Sequence, residues 1–459
     1  MSSAARGATT FAAAAGAGLA DQTLRANLAR ATGTIRARRT AAAGELPDWE
    51  ELRERGRRIK DRTLARLDEH LLTFEAAATD AGATVHWARD ADEANATVIG
   101  LMRAAGFTEA VKVKSLTTDE IGLNDALAAA GMHATETDLA ELILQLDGDW
   151  SSHILVPAIH RNRHEIGDIF RRTIADDGLT DEPADLAEAA RLHLRRRFLD
   201  TRVGICGANF AVAETGSICI LESEGNGRMC TTLPRTLIAV VGIEKLLPRW
   251  DDLSVMLQLL PRSSTGERMN PYTSVITGVS QDDGPQHLHI VLLDNGRSAV
   301  LADPEGRDAL RCIRCSACLN VCPVYQRTGG HAYGSIYPGP IGAILTPQLD
   351  PTPATRSLPY ASTLCGACYA VCPVKIDIPR ILVHLRSQTP KPPAERAAMR
   401  VLAWAFGSRR RFERLQRVGR RLAPLGNRLP GPAAAWRRSR EMPAAPQQSF
   451  REWWHDRRP

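Results

Sequence analysis

The stretch Cys312-Ile313-Arg314-Cys315-Ser316-Ala317-Cys318-Leu319-Asn320-Val321-Cys322-Pro323 sets four cysteines within eleven residues and closes them with proline. This C-x2-C-x2-C-x3-C-P spacing wraps the backbone so that three thiolates converge on one iron–sulfur cube and the fourth points away. In two-cluster ferredoxins that fourth cysteine ligates the other cluster. The proline keeps the chain from continuing as regular structure. A structural zinc knot is the competing reading, but zinc sites usually draw on two separated cysteine pairs.

A second run, Cys365-Gly366-Ala367-Cys368-Tyr369-Ala370-Val371-Cys372-Pro373, repeats the pattern one ligand short, because the position three before Cys365 is Ser362. Val321-Cys322-Pro323-Val324 and Val371-Cys372-Pro373-Val374 read as a pseudo-repeat. Ferredoxin-type exchange then allots Cys312, Cys315, Cys318 and Cys372 to a first cluster, and Cys322, Cys365 and Cys368 to a second. Soft thiolates suit such clusters. Two iron–sulfur clusters of the [4Fe–4S] kind are therefore expected, the second with three cysteine ligands. Three arrangements remain open for that second one: a [4Fe–4S] cluster completed by a non-cysteine ligand, solvent or a partner's cysteine; a [3Fe–4S] cluster; or Ser362 binding as an alkoxide. The other three cysteines, Cys206, Cys219 and Cys230, read as small buried hydrophobes.

Around this core the 459 residues suggest roughly three domains at about 150 residues each. A hydrophobic fraction of 44% with 24% charged residues is ordinary globular composition and excludes disorder throughout. No run of about 18 apolar residues is present, so a membrane span is not expected. The Ala-rich opening lacks the basic n-region and strong apolar core of a signal peptide. Seven of ten cysteines cluster between Cys312 and Cys372, which points to metal or redox chemistry rather than disulfides. The expected location is the cytoplasm, with the inner membrane face as a peripheral site.

Upstream of the cysteines the pattern is α/β. Residues 1–47 read as a helical or loose arm. A helix starts at Asp48, with Asp48 and Glu51 at capping-box spacing, and continues through Leu52, Ile59, Leu67, Leu71 and Phe74. Strands at Thr84–Ala88, Ala110–Lys114, His133–Thr137 and His153–Ala158 alternate with helices at Asp90–Gly106, Thr117–Ala130 and Asn162–Phe170. That alternation implies βαβ units and a parallel sheet covered by helices. A helix over 183–199 follows, then strands within Val203–Ser223 and at Leu237–Gly242, Tyr272–Gly278 and His287–Leu293. Gly225-Asn226-Gly227 and Asp294-Asn295-Gly296 read as turns. The α/β domain spans 48–302. Residues 303–389 are Pro- and Gly-rich and form a small domain held by its clusters. Residues 390–459 form a basic tail.

From Lys391 to Pro459 there are 17 Lys and Arg against 5 Asp and Glu, so a basic tail follows a mildly acidic body. Phe412, Leu415, Val418 and Leu422 alternate with arginines as a basic amphipathic helix. Trp404, Trp436, Trp453 and Trp454 join arginine in an interface-like composition. Docking on a protein partner ranks ahead of a membrane surface, and no nucleic-acid-binding fold is recognised.

Several α/β segments carry candidate ligand groups. Glu214-Thr215-Gly216 and Glu224-Gly225-Asn226-Gly227 are placed to line a pocket at strand C-terminal ends, or are tight turns needing positive φ. His160, Arg161 and Arg163, and likewise Lys114 with Ser115, either bind a carboxylate or cap their helices; the second is favoured because no nucleophile–base pair is visible. His331 reads as a hydrogen-bonded loop histidine before a cluster ligand.

The first cysteine motif, with Gly329-Gly330-His331-Ala332-Tyr333-Gly334 and Tyr337-Pro338-Gly339-Pro340-Ile341-Gly342 after it, resembles the lactate utilization protein B family, the iron–sulfur subunit of a bacterial L-lactate oxidation complex. Glu136-Thr137-Asp138-Leu139, Pro157-Ala158-Ile159-His160, Gly207-Ala208-Asn209-Phe210, Leu292-Leu293-Asp294-Asn295-Gly296-Arg297 and Phe450-Arg451-Glu452-Trp453-Trp454 are similar to that family too. Ala140 and Ser316 stand where the family pattern has glycine, each a small residue for a small one. The resemblance covers nearly everything after residue 50. It implies a parallel-sheet domain of the sugar-phosphate isomerase and CoA-transferase group, then a ferredoxin-like dicluster domain and a basic helical tail. It also implies an electron-transfer subunit of a complex oxidising L-lactate to pyruvate, other subunits of that complex as partners, and a membrane- or quinone-linked acceptor. A different 2-hydroxy acid such as glycolate, or an α/β-domain transferase or isomerase with regulatory clusters, are the alternatives.

Overall fold

A computed structural model describes residues 9–175, 178–280, 283–390, 393–422 and 446–457, with 434, 440 and 444. Ten strands are described: β1 Thr84–Ala88, β2 Glu109–Lys112, β3 His133–Glu136, β4 Val203–Cys206, β5 Phe210–Val212, β6 Ser217–Glu222, β7 Thr236–Gly242, β8 Leu246–Leu247, β9 Tyr272–Ile276 and β10 His287–Leu293. Six make a sheet in the order β1-β10-β7-β4-β2-β3, parallel throughout. Its centre explains its composition. All seven residues of β7 are buried, as they must be in a strand covered by helices on both faces. Leu288 to Leu293 of β10 pair in register with Leu237 to Gly242.

The remaining strands form a smaller sheet, β8-β5-β6-β9, in which β5 and β6 are antiparallel. Gly216 turns that hairpin at φ +65°, and a Cβ there would come within 2.2 Å of the Ala78 backbone nitrogen. Glycine is required both for the left-handed backbone and for the close approach.

Several expectations give way to local chemistry. Residues 153–158 are not a strand. The His153 ring accepts hydrogen bonds at Nδ1 from the backbone N–H groups of Leu155 and Val156, at 3.1 and 3.0 Å, and the donors a ladder would need are spent in a turn. Pro157 has no N–H to give. Asp48 makes no side-chain cap; its backbone sits at φ −96°, ψ 18°, outside capping geometry. The helix expected across Thr117–Ala130 is two, Leu116–Glu120 and Leu123–Ala129, broken by left-handed Gly122. Asp294-Asn295-Gly296 joins no hairpin. It delivers the chain into the helix Arg297–Ala302, and Gly225 likewise opens the helix Asn226–Thr232.

The chain divides into two compact units, Met1–Gln388 and Thr389–Pro459. Within the first, helices Phe11–Ala20 and Gln22–Gly44 pack against the cysteine-bearing segment. Leu28 shares one core with Ile313, Leu319, Ile344 and Leu382, and the Phe11 and Tyr333 rings lie 5.0 Å apart. Arg39 donates to the Val371 carbonyl at 2.9 Å, and Arg53 to the Cys372 carbonyl at 3.0 and 2.8 Å.

The second unit contains helices Pro393–Phe406, Arg409–Leu422 and Phe450–His455. Arg420 meets Glu452 at 2.8 Å and Arg451 meets Glu413 at 3.0 Å. Trp404, Phe406, Leu415 and Trp454 are exposed. Trp436 lies outside the described residues. Among the described residues no helix is long and apolar enough to cross a membrane.

Candidate iron–sulfur centre

The two cysteine motifs share a backbone device. Arg314 and Ser316 sit at φ 60° and 58°, and the equivalent Leu364 and Gly366 at φ 55° and 81°. Left-handed residues on either side of Cys315 and of Cys365 curl the loop there, an arrangement that gathers backbone N–H groups. For a non-glycine residue the left-handed region costs roughly 1–2 kcal/mol. Ser316 carries that cost where glycine would not.

Cys312, Cys315, Cys318 and Cys372 line one small cavity of about 20 Å³, walled by Ile154, Ile341, Val374 and Ile378. Two of the sulfurs already accept backbone donors: Arg314 N–H to Cys312 Sγ at 3.4 Å and Ile376 N–H to Cys372 Sγ at 3.3 Å. Burial, then the neighbouring thiols, pushes Cys315 and Cys318 well up, and burial takes Cys372 to about 11. Four thiols crowded in an apolar pocket ionise together only against a cationic core, which soft-metal ligation provides. The donor set and the dry walls both suit an iron–sulfur cluster.

Cys322, Cys365 and Cys368 form the second group. Cys322 and Cys368 are buried, and Cys365 is exposed. Burial and the Cys322 thiol push Cys368 up to about 12. Tyr325 N–H reaches Cys322 Sγ at 3.5 Å. The two groups are neighbours: Cys318 of the first is raised by Cys368 of the second as well as by Cys312, Cys315 and Cys372. Ser362 Oγ accepts the Leu364 N–H at 3.1 Å. Cys206, Cys219 and Cys230 are buried in the α/β part, where burial raises all three; Cys230 Sγ lies 3.3 Å from Thr137 Oγ1.

A buried charge chain escaped sequence reading. The Arg297 guanidinium is bidentate to Glu120 at 2.8 and 2.9 Å and bonds Glu244 through Nε. Arg314 Nη2 reaches the other Glu244 oxygen at 3.2 Å, and its guanidinium lies 4.6 Å from the Tyr337 ring centroid. Tyr337 and Asn295 both donate to Glu120, at 2.5 and 2.6 Å. Burial opposes ionisation of Glu120 and Glu244, but Arg297 acting on both, and Arg314 on Glu244, hold them below the usual carboxylate range. The Lys60 ammonium donates to the Glu244 carbonyl, and burial lowers it to about 7. The chain ties the ends of the parallel sheet to the first cysteine loop. Its one sequence signal is position, for Glu244 and Arg297 directly follow strands β7 and β10.

The other candidates separate. Lys114 pairs with Asp138 at 3.2 Å, and Ser115 caps the following helix through Thr118 N–H; both line a cavity with Glu224 and Asn226. Glu214 instead accepts the Trp250 N–H at 2.8 Å. His160 is held between Asp149 at 3.0 Å and Ser152 at 2.7 Å, and Arg161 lies 2.6 Å from Asp149. Arg163 opens a helix capped by Asn162. His331 bonds the Trp150 carbonyl at 2.9 Å. Asp149, His160 and His331 bring three ligand atoms within 4.8 Å of one another, but Arg161 already serves that carboxylate.

Residues 71–293 match the family model for the LUD domain, residues 308–376 the 4Fe-4S dicluster domain, and residues 381–458 the lactate utilisation protein B C-terminal region. A lactate utilization protein B from Bacillus cytotoxicus is 39% identical over 458 residues, covering 96% of each chain. One from Oceanobacillus iheyensis is 41% identical over 454 residues, covering 96% of this chain and 95% of that one. A crystal structure of a DUF162 family protein from Deinococcus radiodurans is 14% identical and covers 50% of this chain and 98% of that chain, at a TM-score of 0.28, too low to assign a fold.

Proposed function

The chain belongs to the lactate utilization protein B family, and from that premise we propose that it is the iron–sulfur electron-transfer subunit of a complex that oxidises L-lactate to pyruvate. The observation that carries this is the arrangement of seven thiols in two adjoining groups, one mostly buried and one reaching the surface at Cys365. Bound iron–sulfur clusters supply one-electron transfer at potentials set by charge, hydrogen bonds to sulfur and solvent exposure. Cys312, Cys315, Cys318 and Cys372 hold the inner cluster, read as [4Fe–4S]. Cys322, Cys365 and Cys368 hold the outer one, also read as [4Fe–4S], with a fourth ligand from solvent or a partner. Ser362 is a poor candidate for that ligand, since its oxygen already accepts the Leu364 N–H. The backbone N–H groups of Arg314 and Ile376, aimed at inner sulfurs, favour added negative charge there.

We read 48–302 as the α/β domain, 303–389 as the dicluster domain and 390–459 as the segment that docks other subunits. The matched ranges support that division. The parallel sheet supports the sugar-phosphate isomerase and CoA-transferase likeness for the first. The basic helix Arg409–Leu422 beside exposed aromatic groups supports the docking role of the third.

Cys372→Ser tests the ligand exchange. Anaerobically purified variant protein should lose the inner cluster's low-temperature EPR signal and roughly half its iron, although Cys372 belongs to the second motif. Loss confined to the outer signal would show that each motif serves its own cluster. A colourless, zinc-loaded preparation would end the electron-transfer reading.

A further inference from the structure

Beside the enclosed thiols lies a second cavity, of about 190 Å³, that the electron path does not use. Strands β2 and β4 are neighbours, yet the chain leaves β2 for β3 on one side, and from β4 passes through β5 and β6 of the smaller sheet before returning as β7 on the other. Such a divergence opens a crevice at strand C-terminal ends, where open α/β sheets take ligands. Lys114 and Ser115 enter it after β2, Asn209 after β4 and Lys245 after β7. Ile154 and Arg314 line both this cavity and the inner thiol pocket, so the two share a wall.

The polar groups sort by whether they are matched. Asp138 is paired with Lys114. Glu222 accepts the N–H groups of Glu224 and Gly225 at 2.8 and 2.6 Å. Glu224 accepts that of Leu139 at 3.2 Å. Arg314, 7% exposed, keeps a buried Nη1 that meets no acceptor among the described residues. Glu267 Oε2 and Asn270 Oδ1 are buried acceptors with no donor among those residues. Lys245 is also only 7% exposed, and burial followed by Arg314 lowers it to about 8. An unmet buried polar group costs roughly 1–3 kcal/mol, so the Arg314, Glu267 and Asn270 atoms specify what would relieve them, and Lys245 adds a buried cation to the same wall. Arg314 already gives Nη2 to Glu244, so its Nη1 calls for a further oxygen acceptor, which a carboxylate supplies. The acceptors require a hydroxyl. The volume falls below the roughly 300–1,000 Å³ of pockets for drug-sized ligands, which leaves a molecule of a few heavy atoms.

We propose that this cavity binds a small 2-hydroxy carboxylate, its carboxylate against Arg314 and Lys245 and its hydroxyl donating to Glu267 or Asn270. The choice of L-lactate as probe rests on the family reading above; the charge and hydrogen-bond argument does not. The full chain, loaded with iron and sulfide under anaerobic conditions, is titrated calorimetrically with L-lactate, pyruvate, acetate and inorganic phosphate. L-lactate should saturate a single site. Pyruvate and acetate, lacking the donor hydroxyl, should bind about tenfold more weakly or worse. Lys245→Gln should weaken L-lactate about tenfold, and Asn270→Ala, which removes one of two candidate acceptors, by a smaller factor, with cluster EPR signals showing that each variant is folded. L-lactate should also perturb the inner cluster's EPR line shape. Absence of saturable L-lactate binding overturns the proposal, as does equal affinity for acetate or phosphate. So does an affinity that neither substitution changes. A preparation without iron–sulfur signals refutes the electron-transfer reading instead, and calorimetry still decides whether the cavity takes the acid.

Discussion

Replacing Arg297 with methionine removes the centre of the buried charge chain while keeping much of its bulk. Glu244 would retain Arg314 at 3.2 Å, but Glu120, with no exposed side-chain surface, would lose its bidentate cation and keep neutral donors such as Tyr337 and Asn295. Stripping one partner from a buried pair costs about 3–5 kcal/mol, because a charge is left uncompensated. At about 2 °C per kcal/mol for a large domain, the midpoint should fall by roughly 6–10 °C. The pH dependence carries the sharper signature. In the native chain Glu120 is held below its ordinary value, so its stabilisation is present above the unfolded pKa and is lost as pH falls through the folded one. Without Arg297, burial alone pushes Glu120 up. The variant then loses stability as pH rises from the unfolded pKa to the raised folded value. The gap between variant and native protein should therefore be wider at pH 8 than at pH 5.5. Anaerobic thermal scans of both proteins at one scan rate measure this. The double variant Glu120→Gln with Arg297→Met should recover part of the loss and flatten the gap, since contacting residues couple. A shift under 2 °C, or a gap that does not change with pH, would refute the view that this chain clamps the sheet to the cysteine loop.

Two further outcomes follow from particular positions. A Cβ at Gly330 would stand 1.8 Å from the Ser152 carbonyl oxygen, so Gly330→Ala should cost about 1–3 kcal/mol and lower the midpoint in the same scans; an unchanged midpoint would mean that the two backbones can part. Because Cys365 is exposed while Cys315, Cys318 and Cys372 are buried and Cys312 is half-buried, a chelator should abolish the outer EPR signal well before the inner one. Loss at a common rate would contradict that order.

Part of the cysteine grouping was legible because it is local: spacing of three and four residues gathers the thiols of each motif, whereas the entry of Cys372 into the pocket of Cys312, Cys315 and Cys318 is a long-range contact that only the ferredoxin pattern suggested. The strands with strong apolar runs, β7 and β10, were readable for a similar reason. The charge chain was not. Glu120, Glu244, Arg297, Arg314 and Tyr337 meet only after the sheet assembles, and apart from the position of Glu244 and Arg297 after strands β7 and β10, nothing local distinguishes them from solvated residues. Residues 153–158 misled because an apolar run with a β-branched residue looks like a strand, whereas the His153 ring spends the donors that pairing would need. Asp294-Asn295-Gly296 has hairpin chemistry but serves a βα junction; the composition of a turn does not say whether the next element returns antiparallel. Arg314 illustrates the limit most plainly. Sequence placed it inside the ligand loop, but only the fold shows its guanidinium reaching across to Glu244 and to the neighbouring cavity.

The contact between Arg53 and the Cys372 carbonyl spans 319 residues. At roughly 5–20 residues per second, a ribosome needs about 15–65 s between making the first and making the second. Throughout that interval the helices Gln22–Gly44 and Trp49–Ala65 have been synthesised, but the surface they close upon has not. The parts made first can thus dock only after the cysteine-bearing segment has been made. In a cell starved of iron, the nascent and newly released chains are expected to show their amino-terminal helices to proteases, so that degradation, rather than an inert apoprotein, becomes the fate of an unfilled molecule.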